Sequence, residues 1–353
     1  MTTSLPIGDT ASRILPTTIL DINYAFAKTA MLVSAVQLQL FTHLADGAST
    51  PVELARRVQC NPQHLERLLR GLQAQGLVES VGDAYRLTPI SERFLVAGKP
   101  SYLGGDTLAM LDYIPAWLQL TGTLRTETPY RDLGNPLTAE EFFAPRVRDL
   151  FPLIYPLATR AVERLSSDLQ AMKSLSVLDV GAGSAPWSAA FAKRYPGAQI
   201  TALDLPQVVE QGQQQVAELG LSAQYTWITG DMENVTLAPQ SYNVVIVGHI
   251  CRFIGESRSR ELLKRLAQSL QPAGLLLLAD AFYSDDRTGP PPAITLDLSM
   301  LVNTAQGGIW SCREVSTWLS EGALYQQVER LDVAGPFPVL VARKAEENTC
   351  VEL

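Results

Sequence analysis

Between residues 176 and 280 five short apolar runs alternate with helical stretches, and this alternation constrains the fold more than any other feature of the chain. The runs are Ser176-Val177-Leu178-Asp179-Val180, residues 199–204, residues 223–228, residues 242–247 and Leu275-Leu276-Leu277-Leu278-Ala279-Asp280. Helical patterns fill residues 185–195, 208–219 and 257–270 between them. Near-continuous apolar runs belong to strands buried on both faces, which occur in parallel sheets covered by helices on either side. The expectation is a Rossmann-like, doubly wound, mostly parallel sheet that binds ligands at the carboxyl ends of its strands.

The strand ends carry polar and glycine residues in a definite order. The first runs into Gly181-Ala182-Gly183-Ser184, a turn whose glycines let backbone approach a ligand without a Cβ clash. A dinucleotide fingerprint needs a third glycine, and Trp187 is found near that place instead. The second strand ends at Asp204-Leu205, where a carboxylate can accept both hydroxyls of a ribose. The third is followed by Gly230-Asp231-Met232, an acid for an adenine amine and a thioether to cover the ring.

Upstream, to about residue 165, the chain reads as helices. Residues 20–45 are apolar around most of a helix, so several faces need cover, from later helices or from a partner subunit. Ser49-Thr50-Pro51 and Asn61-Pro62 each open a helix with a capping side chain and a first-turn proline. A short hairpin follows over Gly76-Leu77-Val78 and Ala84-Tyr85-Arg86. Two helices and a two-stranded wing make a winged helix, but DNA binding is a poor fit. Acids sit beside the arginines of the second helix, and 28 Lys and Arg against 36 Asp and Glu give the chain a net charge of −8. A scaffolding or dimerising role is expected, with a domain over 1–165, a second over 166–345 and a tail over 346–353.

No run approaches about 20 uninterrupted apolar residues, so no membrane span is expected. The first residues lack a basic segment leading into an apolar one, and the four cysteines, Cys60, Cys251, Cys312 and Cys350, show neither metal-ligand nor disulfide-framework spacing. A reducing cytoplasm is the expected location.

Glycine turn, ribose acid and Gly230-Asp231-Met232 in this order resemble the class I S-adenosylmethionine-dependent methyltransferases. With the winged helical N-terminal region, Asp204-Leu205-Pro206 and Gly307-Gly308 before a helix carrying Trp318, the chain is similar to the small-molecule O-methyltransferases with a dimerisation domain. The resemblance implies a homodimer intertwined through its N-terminal helices. It also implies cofactor contacts at Gly181, Ala182, Gly183, Asp204, Leu205, Gly230, Asp231 and Met232.

One position departs from that family. Phenol-methylating members resemble each other in a histidine base after the fourth strand, where this chain has Ile250-Cys251-Arg252-Phe253. An arginine stays protonated and cannot act as a base. Of the acids that orient the histidine in the family, one falls on Asp280 and the other near Trp310, which has no carboxylate. Arg252 can pair with Asp280, or hold an anionic substrate; His249 can serve as base; or an electron-rich carbon can be the acceptor. The Cys251-Arg252 pair also resembles a narrower branch acting on bacteriochlorophyll and carotenoid precursors, which suggests a large apolar substrate. The tyrosine and histidine that assist in that branch fall on Gly255 and Met300. Expected pocket residues are Tyr113, Tyr155, Phe253, Met300 and Trp310. Two other classes remain: a relative that keeps the cofactor as a fixed charge without transferring its methyl, and a winged-helix regulator that senses the cofactor.

Overall fold

A computed structural model describes residues 16–172, 174–333 and 337–345. The expected tail, with Cys350, lies outside the described residues.

The chain forms two compact units that divide between Leu108 and Ala109. The first contains α1 (Thr17–Gln37), α2 (Leu40–Leu44), α3 (Pro51–Arg57), α4 (Pro62–Ala74), the hairpin β1 (Val78–Val81) and β2 (Ala84–Leu87), and α5 (Pro89–Phe94). Both caps form as their residues dictate. Thr50 and Glu53 make a reciprocal capping box on α3, and the Asn61 side chain accepts from the N–H groups of Gln63 and His64 on α4. Leu40, Phe41, Leu54, Leu69, Leu72 and Val78 fill the core. On α4 Arg70 is paired with Glu66 at 2.6 Å, so acid offsets base on the helix that would face DNA in a reader.

α1 is buried only near its end, at Val33, Ala35 and Val36, while Ile22, Tyr24 and Phe26 are exposed. It is a helix long and apolar enough, by length and composition, to cross a bilayer, although the sequence pattern predicted none. The charged Asp21 and Lys28 lie within it, and its last turns are built into the core of the unit.

The second unit holds most of α6 (Gly104–Leu118), then α7 (Leu120–Thr126), α8 (Pro136–Phe143), α9 (Phe151–Arg164) and α10 (Ser166–Gln170) ahead of the sheet. The expected boundary near residue 165 therefore moves upstream. Its cause is the α9 stripe Phe151, Ile154, Leu157, Ala158, Ala161 and Val162, which shares one core with Val177, Ile200 and Val244 of the sheet.

The alternating region folds as β3 (Ser176–Val180), α11 (Pro186–Arg194), β4 (Gln199–Asp204), α12 (Pro206–Glu218), β5 (Tyr225–Thr229), β6 (Tyr242–Gly248), α13 (Cys251–Ser269) and β7 (Leu270–Ala279). Next come β8 (Phe282–Tyr283), α14 (Pro291–Asn303), β9 (Trp310–Ser311), α15 (Cys312–Ser320), β10 (Tyr325–Leu331) and β11 (Val339–Lys344). The seven-stranded order is β10-β11-β7-β6-β3-β4-β5, with the five strands from β7 to β5 parallel and β10 and β11 antiparallel. Strand order reverses at β3, so a crevice opens above the carboxyl ends of β3 and β6.

One helix comes unusually close to this crevice. On α12 a Cβ added at Gly212 would lie 2.6 Å from the Gly183 carbonyl oxygen and 2.5 Å from the Trp227 ring. Gly212→Ala gains about 1 kcal/mol in helix propensity but overpacks against backbone, a cost of about 1–3 kcal/mol. Backbone cannot give way as a side chain can, so the clash dominates. Urea unfolding should show a net loss of stability, and unchanged or higher stability would refute the close packing.

Candidate active site

The site begins with backbone. After β3 the chain turns with positive φ at Gly181 (+66°), Gly183 (+58°) and Ala185 (+60°). The N–H groups of Gly181 and Ala182 donate to the Leu203 carbonyl at 2.9 and 3.1 Å, which pins the turn to the end of β4. At Gly183 an added Cβ would find only ordinary contact, at 3.8 Å, so its left-handed φ is what favours glycine there. Trp187, which stands near the place of the missing third glycine, packs its ring where a Gly248 side chain would be, 2.7 Å from the ideal Cβ.

Asp204 locks this turn from the side. Its Oδ2 accepts from Gly183 N–H at 2.7 Å and its Oδ1 from Leu205 N–H at 2.8 Å. An ionised carboxylate has about four acceptor positions, so both oxygens keep room for one more donor each, as a ribose diol would require. Burial raises its pKa to about 6, against the pull of those two N–H groups. Asp179, on β3 beneath the turn, accepts from Ser188 N–H at 3.2 Å and is pushed up to about 6 by burial too. Gly230, with φ +151°, donates its N–H to the Asp204 carbonyl at 2.9 Å, joining the ends of β4 and β5. The Asp231 carboxylate caps the next turn, accepting from Glu233 N–H at 3.0 Å and the Asn234 amide at 2.6 Å.

One cavity collects these ends. Its walls include Gly181, Ala182, Gly183, Asp204, Leu205, Gly230, Asp231 and Met232, together with His249, Arg252 and Phe253. The rest of the lining is mostly apolar, with Phe143 and Val147 from the segment before the sheet. Every residue expected to touch the cofactor thus faces one space.

Beside it, β6 ends in a strained residue. His249 has φ +63°, costly for a side chain of this size, and its N–H donates to the Ala279 carbonyl at 2.7 Å. Three residues on, Arg252 reaches Asp280 with Nη1–Oδ1 at 3.1 Å, and both side chains are largely buried. Asp280 also accepts from the N–H groups of Ala281 and Arg252, at 2.8 and 3.3 Å. Burial raises the Asp280 pKa while Arg252 opposes the rise. The pairing expected for Arg252 is therefore made, with Asp280 beneath the cavity wall rather than part of it.

The other Arg252 contact changes the reading of His249. Arg252 Nη1 lies 3.4 Å from His249 Nδ1. A guanidinium only donates, so Nδ1 is the acceptor and the ring proton sits on Nε2. Burial, then the arginine charge, holds the His249 pKa well below its ordinary value. The expected general base thus has no lone pair on Nε2, and this geometry makes it a donor. Three buried N–H groups of cavity residues have no hydrogen-bond partner: His249 Nε2, Arg252 Nε and Trp187 Nε1.

Four of the expected pocket residues lie elsewhere. Met300 is buried in a small apolar cluster with Ala281, Ala293 and Ile309. Trp310 packs edge-on against Trp318 at 5.0 Å, and Tyr155 stacks on Phe151 at 4.9 Å against the main core. Tyr113 sits two rings away from the cavity, through an edge-to-face series with Phe142, Phe143 and Phe253 at 5.2 Å each. Tyr113, Tyr155 and Met300 lie on α6, α9 and α14, whose rotation against the core carries them away from the cavity lining, and Trp310 lies on β9.

Sequence reasoning missed two arginines on α13. Arg265 donates to the carbonyls of Met232, Glu233 and Val235, and Arg258 grips the Glu233 carboxylate with Nε and Nη2 at 2.7 and 3.1 Å. Together they hold the 230–235 loop against α13. In the sequence both look like ordinary solvated charges on an exposed helix face.

The chain matches the profile of an O-methyltransferase domain over residues 154–323 and that of an O-methyltransferase dimerisation domain over 20–97. It is 30% identical over 332 residues to the tetracenomycin polyketide synthesis 8-O-methyl transferase of Streptomyces glaucescens, covering 93% of this chain and 97% of that one. It is 26% identical over 322 residues to the 3-hydroxy-5-methyl-1-naphthoate 3-O-methyltransferase of Streptomyces sahachiroi, covering 91% and 92%. Human N-acetylserotonin methyltransferase, solved in complex with S-adenosylmethionine, has the same fold, with a TM-score of 0.81 at 21% identity over 96% of this chain and all of that one. With the glycine turn, the ribose-type carboxylate and these matches in agreement, the chain belongs to the O-methyltransferase family with an N-terminal dimerisation domain and is an S-adenosylmethionine-dependent methyltransferase.

Proposed function

We propose that this enzyme methylates the oxygen of an acidic aromatic hydroxyl, held in the site as its anion. The observation that carries this reading is that three residues of the cavity lining each hold a buried, unpartnered donor, His249 Nε2–H, Arg252 Nε–H and Trp187 Nε1–H, where the rest of the lining is largely apolar. Buried N–H groups without partners are costly unless a ligand oxygen meets them. Donors aimed at a phenolate or enolate lower its pKa and favour the form that attacks. Such a site needs no histidine base, provided the acceptor loses its proton to water as it binds. The relatives named for a naphthoate 3-O-methyl transfer and for a tetracenomycin 8-O-methyl transfer support an aromatic polyketide-type acceptor.

In this reading Gly181, Ala182, Gly183, Leu205 and Asp204 hold the amino acid and ribose of the cofactor, and Gly230, Asp231 and Met232 hold the adenine. S-adenosylmethionine supplies an electrophilic methyl on a sulfonium whose departure leaves a neutral thioether. The protein orients the acceptor oxygen, excludes water through Phe143, Val147 and Phe253, and stabilises the anion. Asp280 keeps Arg252 in its orientation and balances its charge. Met300, buried, and Trp310, partly buried against Trp318, give little support to the alternative of a tetrapyrrole-sized ring. A homodimer through the first unit is supported by the match to a dimerisation domain and by the exposed Ile22, Tyr24 and Phe26 of α1.

Incubation with methyl-labelled S-adenosylmethionine and an extract of the source organism, followed by mass spectrometry, should yield a labelled aryl methyl ether. A labelled carbon would overturn the oxygen assignment, and a converted but unlabelled metabolite would indicate a cofactor used only as a charge. His249→Phe should lower kcat by about 10- to 100-fold through loss of a donor to the developing site, with His249→Gln retaining more activity. The rise of kcat/KM with pH should follow the pKa of the acceptor and remain in the Gln variant. A profile that loses its inflection with the histidine would restore the base role.

Removing one partner of the buried pair, as in Arg252→Ala, should cost about 3 kcal/mol of stability by leaving the Asp280 carboxylate unpaired. An Asp280→Asn change in the same background should recover part of it, measured by urea denaturation. Asp204 must be ionised to accept from two hydroxyls, and its folded pKa lies near 6. S-adenosylhomocysteine affinity should therefore be full above that pH and weaken as pH falls through it, by about tenfold per unit well below it. Asp204→Ala should remove this dependence along with most of the affinity; calorimetry at pH 5, 6 and 7.5 reads both.

A further inference from the structure

The deeper question is how the adenine-side loop and the opposite wall of the cavity are held together. Arg258 touches both. Its Nε and Nη2 form a two-point pair with the Glu233 carboxylate, at 2.7 and 3.1 Å, while Nη1 donates to the Gly134 carbonyl at 2.7 Å. Glu233 N–H in turn donates to Asp231, so the arginine is one residue removed from a cavity carboxylate. On the other side Gly134 belongs to a strap, residues 130–135, between α7 and α8.

The strap is anchored away from Arg258 as well: Leu133 is buried and the Arg131 guanidinium donates to the Asp112 carbonyl at 2.7 Å. The strap lies along the end of α14, where Tyr130 N–H donates to Val302 O at 2.9 Å and Leu133 N–H to Asn303 O at 2.7 Å. Asp132 Oδ1 accepts from the N–H groups of Gly134 and Ala305, both at 3.0 Å. Gly134 also has to be a glycine, because a Cβ there would sit 2.8 Å from the Phe253 carbonyl oxygen. Leu133, Gly134 and Arg258 all face the same cavity as Asp231 and Met232.

We propose that Arg258 is a positioning residue that couples occupancy of the cofactor cleft to the stability of the 130–135 strap, so that a bound cofactor tightens the wall on the acceptor side. The inference rests on reading Gly230, Asp231 and Met232 as the adenine end of that cleft. Its physical basis is the planar guanidinium, which engages a carboxylate along one edge and a carbonyl with the remaining nitrogen at the same time. Ordering the 230–235 loop around the cofactor fixes Glu233, which fixes the guanidinium, which fixes Gly134. A lysine is a point charge and cannot hold both sides in register.

The test uses the full-length protein and S-adenosylhomocysteine as the probe. Hydrogen exchange is followed on peptides covering 230–235 and 130–135, with calorimetry for affinity. In the wild type the probe should slow exchange in both peptides. In Arg258→Gln, and independently in Glu233→Gln, slowing should persist at 230–235 and disappear at 130–135, with Kd raised about tenfold. Arg258→Lys should behave like the Gln variant rather than rescue it. Equal slowing of the strap in wild type and in both Gln variants would overturn the coupling while leaving the cofactor assignment intact. No slowing at 230–235 in the wild type, with the probe bound, would overturn the adenine assignment and the coupling with it.

Discussion

The carboxylate of Asp204 closing on the Gly183 N–H is the contact on which the rest of the site depends. It bridges the ends of two neighbouring parallel strands and fixes the glycine turn that lines the cavity. Because β3 is the central strand at the point of reversal, anything that shifts this turn shifts the cavity on both sides. Its cost is a carboxylate held where burial disfavours its charge, which the two N–H donors offset only in part. A neighbouring carboxylate, Asp179, is burdened the same way but lies beneath the turn and outside the cavity lining, so of the two only Asp204 can be relieved by the hydroxyl donors of a ligand.

The second half of the site is arranged around a different problem, a cation under an apolar wall. Arg252 is neutralised by Asp280 and oriented by its stacking near Phe253 and Phe337, 5.1 and 5.7 Å from the ring centres. That leaves an ion pair with no net charge to steer substrate but with an unpartnered Nε–H on the guanidinium, beside a histidine whose proton the arginine has directed to Nε2. Under the proposed function, a donor in place of a base means that the acceptor must supply its own acidity.

Loops rather than regular elements bring the two halves together. The breaking of α13 at Gly255, φ +83°, is enforced by the chain that follows α14, since a Cβ there would lie 2.5 Å from the Gln306 carbonyl oxygen. Gly307 is equally constrained, with the Arg252 carbonyl oxygen 2.3 Å from its ideal Cβ. The Gly308 N–H then donates to that same carbonyl at 2.9 Å. These contacts fix the backbone of Arg252 from behind, which is why a short sequence such as Cys251-Arg252-Phe253 can present a side chain reproducibly. The Gly307-Gly308 pair, noticed in the sequence as a family trait, has this packing as its physical reason.

The sequence by itself determined the parallel sheet, the order of its strand ends and the cofactor they accept. Those properties follow from local apolar runs and from glycines and acids at strand termini, whose direction a parallel strand fixes without further help. It also determined both helix caps of the first unit, since capping is settled within four residues. Tertiary structure alone decided the rest. Whether Tyr113, Tyr155, Met300 and Trp310 face the cavity depends on the rotation of helices and loops against a core, which helical spacing leaves open. The division at Leu108 depends on one stripe of α9 joining the sheet. The tautomer of His249 depends on an arginine three residues away reaching one ring nitrogen and not the other. The roles of Arg258 and Arg265 depend on loops 25 or more residues distant in the chain, and a charge on a helix face carries no sign of which distant carbonyl or carboxylate it will meet.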